Sequence, residues 1–236
     1  MFTDIHTHIL PGVDDGPKTL EESEKLLQTA VSSGILNIVA TPHFYPNKHS
    51  LPKRLELINQ GFNTLKTLIN AKFEGVNLCL GMEVRYYRGI SKSDAINTFC
   101  FENSKIILLE LGYEPIDNYI AEEILELFYC GYTVVLAHIE RYYKLKGLSK
   151  IKKLIKSGFV KAQVNAASLF ETEFSHIVLK LIKSGMVSFL ASDMHSVELR
   201  PPKIKEAFNY LEEKIGGERV LELKENSNKL FSLIKV

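Results

Sequence analysis

Short apolar runs alternate with amphipathic stretches along this chain, and each apolar run ends on a polar residue. Phe2 to Ile5 leads into His6 and His8, Ile35 to Ala40 into Thr41-Pro42-His43, Val76 to Met82 into Glu83, and Ile106 to Leu109 into Glu110. Thr133 to Ala137 leads into His138, Val160 to Val164 into Asn165, and Val187 to Ala191 into Ser192-Asp193. Several of these runs are rich in β-branched residues, and all seven read as strands.

Helical periodicity fills the intervals. Thr19, with Glu22 three residues on, forms a capping box. Leu26, Leu27, Ala30 and Val31 then share one face, and Gly34 stops the helix. Further helices are predicted over roughly 51–72, 117–129, 147–157, 175–184 and 203–215, with a last helical stretch closing the chain. Alternating strands and helices imply parallel strands joined by right-handed crossovers. Glu83, Glu110, His138, Asn165 and Asp193 recur at intervals of 27 or 28 residues, one βα unit each. The expected fold is therefore α/β, a barrel of about seven βα units in a single domain over residues 1–236. In such barrels the chemistry sits where the C-terminal strand ends converge.

Composition narrows the classes. Hydrophobic residues make up 45% of the 236 and charged residues 24%, enough for a sizeable core in a globular protein. The net charge of +1 argues against a nucleic-acid partner, which needs clustered positive charge. Lys144 to Lys156 reads as the solvated face of a helix. No apolar run approaches the ~20 residues of a membrane span, and the opening Met-Phe-Thr-Asp-Ile-His lacks the basic and apolar regions of a signal peptide. Cys79, Cys100 and Cys130 are odd in number and lack metal-ligand spacing. They read as reduced, mostly buried thiols of a cytoplasmic protein.

His6-Thr7-His8 places two imidazoles at i and i+2 of a strand, on one face. Asp193-Met194-His195 repeats the spacing, His43, Glu83, Glu110 and His138 stand at other strand ends, and Asp15 follows the first strand. Carboxylates gathered at a barrel mouth repel one another unless cations neutralise them. Mixed imidazole and carboxylate ligands without thiolate suit Mn, Fe or Zn, and nine such groups are adequate for two or three ions. His49 and His176 lie off the strand ends and read as surface or loop residues.

The segment from Asp4 to Pro17 resembles the opening of the PHP (polymerase and histidinol phosphatase) superfamily. More narrowly it resembles the bacterial protein-tyrosine phosphatases of capsule and exopolysaccharide operons, the CpsB/YwqE type. Ala40-Thr41-Pro42-His43, Ala137-His138-Ile139-Glu140-Arg141-Tyr142, Ala191-Ser192-Asp193-Met194-His195 and Arg200-Pro201-Pro202 match that family in order and spacing. The resemblance covers nearly the whole chain. It implies a distorted (β/α)7 TIM-like barrel, the PHP fold, with a trinuclear, usually manganese-activated site. His6, His8, Glu83 and Asp193 would hold the first ion. Glu83 would bridge to a second with Glu110 and His138, and Asp15, His43 and His195 would hold a third. It further implies that Arg141 and Arg200 contact phosphate, where their planar forks suit phosphoryl oxygens; the plainer alternative pairs Arg141 with Glu140 or another acid.

The expected activity is phosphotyrosine hydrolysis by a metal-bridging hydroxide without a phosphoenzyme. The expected partner is a bacterial tyrosine kinase, a polysaccharide co-polymerase with a Tyr-rich tail. A histidinol-phosphate phosphatase, another PHP phosphoesterase such as an exonuclease, and a metal-binding module without turnover are the rivals. Phe44, Tyr45, Tyr86 and Tyr87 are candidates for a rim that admits an aromatic ring. Cys79 to Arg85 also spells Cys-x5-Arg, the signature of cysteine-dependent phosphatases. It is rejected because Cys79 lies inside an apolar strand and Glu83 would sit within the phosphate cradle.

Overall fold

The computed structural model describes residues 1–234. Its strands are β1 (Phe2–Thr7), β2 (Ile35–Ala40), β3 (His43–Phe44), β4 (Asn77–Leu80), β5 (Glu83–Arg85), β6 (Ile106–Glu110), β7 (Thr133–Leu136), β8 (Val160–Asn165) and β9 (Phe189–Ala191). Every pairing is parallel, in a three-stranded sheet β1-β2-β4 and a six-stranded sheet β3-β5-β6-β7-β8-β9.

Two of the seven predicted strand positions are each split in two. β2 ends at Thr41-Pro42 before β3 begins, and Pro42 has no N–H to offer a ladder. β4 ends at Gly81-Met82 before β5 begins. A Cβ on Gly81 would lie 2.4 Å from a ring carbon of Phe101, so a side chain cannot pass here. Both breaks let the strand bend and carry His43 and Glu83 over the mouth. The circuit returns from β9 to β1 through an isolated parallel bridge, Thr7 to Met194, with the Asp193 N–H donating to the His6 carbonyl at 2.9 Å. The result is a distorted ring of seven positions, without a regular ladder between β9 and β1.

The helices are α1 (Leu20–Ser32), α2 (Leu51–Lys72), α3 (Asn118–Tyr129), α4 (Leu148–Lys156), α5 (Ser175–Lys183), α6 (Ile204–Ile215) and α7 (Gly217–Ile234). Thr19 caps α1 by accepting from the Glu22 N–H at 3.3 Å. The reciprocal half of the capping box is displaced by one residue, since Glu22 accepts from the Lys18 N–H at 2.7 Å. Asp117 caps α3 through the Ile120 N–H.

Ile5, Val39, Leu108, Val135 and Ala191 fill the inside of the ring, and Leu230, Phe231 and Ile234 of α7 join the same cluster. α7 lies across the strand starts: Asn228 accepts from the Thr3 hydroxyl and Asn226 donates to the Ser188 carbonyl. One end is thus plugged by apolar side chains, and the C-terminal strand ends are left for the polar cluster. Cys79 and Cys100 are buried as expected, whereas Cys130 is exposed. No helix among the described residues is long and apolar enough to cross a membrane.

Candidate metal centre

Every one of the nine side chains singled out above reaches the C-terminal mouth. All are buried except His43, which is partly so, and Asp15, which is 59% exposed. His138 and Asp193 occupy left-handed backbone (φ 33° and 54°), a conformation that costs non-glycine residues energy and is retained where surroundings enforce it.

Neighbouring residues fix the ring orientations. Nδ1 of His6 lies 3.1 Å from Oε1 of Gln163, which also accepts from the His138 N–H at 2.8 Å. Nδ1 of His8 lies 2.8 Å from Oδ2 of Asp14. Both partners are acceptors, so each ring carries its proton on Nδ1 and turns Nε2 into the mouth. Nε2 of His6 and His8 then stand 3.2 Å apart, each about equally far from Glu83 and from Oδ1 of Asp193, at 3.4–3.5 Å. Two imidazole lone pairs facing each other among carboxylates call for a cation between them.

Electrostatics agree. Burial opposes charge on His6, but Glu83 and Asp193 outweigh it and raise its affinity for a proton. Burial would likewise raise Glu83 and Asp193, yet the surrounding histidines hold both well below the usual carboxylate range. His138 is pushed down to about 4, by burial first and then by Arg141, leaving the neutral imidazole that binds metals. Burial and the charge of Glu83 push Glu110 up to about 7. Asp15 is held down to about 2, chiefly by its hydrogen bond to His195.

Among the described residues, three groups of ligand atoms are compact enough for an ion: His6, His8 and Asp193; His43, Glu83 and Glu110; and His8, Asp15, His43 and His195. The resemblance put His138 with Glu83 and Glu110. Here His138 Nε2 is 2.8 Å from Oε1 of Glu83 but 3.8 Å from Oε1 of Glu110, and His43 completes the tight trio instead. The donor set fits divalent ions on a further ground: Nδ1 of His43 and Oε2 of Glu83 are buried without a well-formed hydrogen bond, and Oε2 of Glu110 has only the Arg85 guanidinium beside it. Buried polar atoms are rarely left so unless something else binds them.

Arg141 and Arg200 converge on one atom, donating to Oδ2 of Asp193 at 2.8 and 2.5 Å. Arg141 does not pair with Glu140, which is buried and accepts from the Asn165 N–H and the Ser168 hydroxyl, both at 3.0 Å. Arg200 is carried over the mouth by a turn in which the His195 N–H donates to the Arg200 carbonyl.

Of the four rim candidates, only Tyr45 touches the site, its ring stacked on His43 at 4.8 Å. Phe44 is buried against Phe99, the Tyr86 hydroxyl donates to Glu123 at 2.5 Å, and Tyr87 packs edge-on against Phe99. His49 sits in its loop accepting from the Tyr45 N–H, and His176 is exposed on α5. Cys79 belongs to the interior apolar cluster, while Arg85 pairs with Glu110, so the Cys-x5-Arg segment forms no cradle. Sequence reasoning missed Asp14, Gln163, Arg54, Arg85 and Tyr113. Arg54 is buried and donates to the His43 and Val13 carbonyls, tying the first loop to β3.

A histidine–carboxylate cluster with two convergent guanidiniums, at the C-terminal mouth of a parallel ring, has the make-up of a metallohydrolase centre. Residues 2–232 match the family model for capsular polysaccharide synthesis, CpsB/CapC, and the chain belongs to that family. It is 35% identical over 216 residues to CapC of Staphylococcus aureus, covering 88% of this chain and 82% of that one. It is 30% identical over 230 residues to the tyrosine-protein phosphatase CpsB of Streptococcus agalactiae serotype III, covering 93% of each. A crystal structure from work on YwqE of Bacillus subtilis and CpsB of Streptococcus pneumoniae, described as unique metal-dependent tyrosine phosphatases, superposes with a TM-score of 0.83. That match covers 99% of this chain and 96% of the other at 25% identity.

Proposed function

We propose that this chain is a metal-dependent protein-tyrosine phosphatase that hydrolyses phosphotyrosine on a protein substrate. The observation that carries the reading is the convergence of Arg141 and Arg200 on Oδ2 of Asp193 beside three metal-competent groups. Two guanidiniums already share one anionic oxygen, and a phosphoryl oxygen offers them the same charge and acceptor lone pairs.

His6, His8, Glu83 and Asp193 would hold one ion, Glu83, Glu110 and His138 a second, and Asp15, His43 and His195 a third. His8 and His43 each belong to two of the compact ligand groups, which supports a role for each beside two neighbouring ions. Imidazole and carboxylate donors without thiolate suit Mn, Fe or Zn, and the family resemblance makes Mn²⁺ the first candidate. Bound divalent ions lower the pKa of water towards ~7 and neutralise phosphoryl charge. The chain itself supplies orientation: Gln163 and Asp14 fix the His6 and His8 rings, and Arg141 and Arg200 take the phosphoryl oxygens. Charge that builds on those oxygens meets preorganised donors. Phenol has a pKa of ~10, so tyrosinate leaves with little help from a general acid. No phosphorylated side chain is required.

The family's description, capsular polysaccharide synthesis, supports a tyrosine kinase of that system as the phosphorylated partner, acting in the cytoplasm where reduced thiols persist. A turnover panel tests the reading: phosphotyrosine peptide, phosphoserine peptide, histidinol phosphate and single-stranded DNA, each with Mn²⁺. Preference for phosphotyrosine is expected. Preference for histidinol phosphate or DNA would assign the site to another branch of the superfamily.

A further inference from the structure

We infer that Tyr45, Arg85 and Tyr113 form the subsite for the aromatic ring of the substrate, an inference that rests on the tyrosine phosphatase reading. Arg85 stands at the end of β5 with its Nε 3.0 Å from Oε2 of Glu110, so its guanidinium is anchored to the polar cluster. Its Cζ lies 5.4 Å from the centroid of the Tyr45 ring and 6.0 Å from that of Tyr113. A planar cation flanked by two aromatic rings offers a third ring a face to stack on and edges to meet.

The two tyrosines are held differently. Tyr45 is fixed by its stack on His43. Tyr113 is 62% exposed in the loop after β6, a large aromatic spent neither on the core nor on a helix face. It therefore stands free at the solvent edge of the guanidinium that is anchored on Glu110. Gly112 keeps the approach bare, since a Cβ there would meet only the Arg85 guanidinium at 3.7 Å and the Glu114 N–H nitrogen at 3.8 Å.

The opposite rim is less suited. Leu199 is 88% exposed beside Arg200 but offers no ring. Phe170, 45% exposed, is already engaged by the Lys203 ammonium 5.5 Å over its ring and by Tyr210 at 5.7 Å. The Tyr45 side thus gives the site its means of telling aryl from alkyl phosphates.

Calorimetry on the metal-loaded enzyme, with phenylphosphonate and methylphosphonate as probes, isolates the ring's contribution. Tyr113→Ala is expected to cut the phenyl-over-methyl advantage about tenfold, the scale of one lost aromatic contact, and to raise KM for phosphotyrosine peptide more than it lowers kcat. Tyr113→Phe should restore both, and Tyr129→Ala, an exposed ring on α3, should change neither. An unchanged advantage in Tyr113→Ala, or one lost only in Leu199→Ala, would overturn the subsite. A wild type that binds phenylphosphonate better than methylphosphonate yet does not turn over phosphotyrosine would overturn the phosphatase reading instead.

Discussion

Nδ1 of His43 and Oε2 of Glu83 face each other at 2.7 Å, both buried, yet neither makes a hydrogen bond of acceptable geometry. Two buried polar atoms so close and so misaligned suit a third party, and a divalent ion held between them would satisfy both. β3 and β5 pair His43 directly with Glu83 in register, so the juxtaposition is built into the backbone.

Glu83 touches four histidines, His6, His8, His43 and His138, whereas His43 meets two carboxylates, Glu83 and Asp15. Glu83→Gln should therefore lose more bound metal than His43→Gln, and activity with it. Metal analysis of the two purified variants decides this. A full complement in Glu83→Gln would remove the bridging role.

Arg141→Ala and Arg200→Ala should each lower phosphotyrosine turnover by roughly a hundredfold to a thousandfold, the range for losing a donor to transition-state charge. Metal content should persist, because a guanidinium offers donors and no lone pair to a cation. Loss of metal in these variants would recast the arginines as structural partners of Asp193.

Much of this site is legible in the sequence because strand periodicity is. His6 and His8 two residues apart, and Asp193 and His195 likewise, must share a side of the backbone. The spacing of Glu83, Glu110 and His138 places them on successive strand ends. Pro42 and Gly81 were available as signals for the strand breaks, but how each break re-aims His43 and Glu83 depends on neighbours. Asp14 is harder, since adjacent aspartates give no sign that one holds His8 and the other lines the mouth. Gln163 and Arg85 matter only through residues distant in sequence, His6 and Glu110.

Gly81→Ala should show how tightly the β4–β5 break is packed. Its Cβ would overlap the buried Phe101 ring, so a cost of roughly 1–3 kcal/mol is expected for overpacking. Because Glu83 follows two residues later, metal affinity should fall as well. Thermal unfolding and metal titration of the variant test both halves.

Glu140 gives a pH signature. Burial pushes its carboxyl up to about 7 from 4.5, against hydrogen bonds from Asn165 and Ser168 that pull the other way. A raised carboxyl favours the fold while protonated, so its contribution is full below 4.5 and is lost as pH rises through about 7. Relative to Glu140→Gln, the wild type should lose at most roughly 3 kcal/mol across that window. Parallel pH dependence of unfolding in the two proteins would show that Glu140 is not the titrating group.

The central claim is that metal, not a thiol, performs the chemistry, and one experiment tests it most directly. The enzyme is stripped with chelator, reloaded stepwise with Mn²⁺, and followed for bound metal and phosphotyrosine hydrolysis on the same sample, alongside Cys79→Ser. Activity should vanish on stripping and return in step with bound metal, in the wild type and in Cys79→Ser alike. Hydrolysis that survives in the metal-free wild type, or that disappears in a folded, metal-loaded Cys79→Ser, would contradict the account.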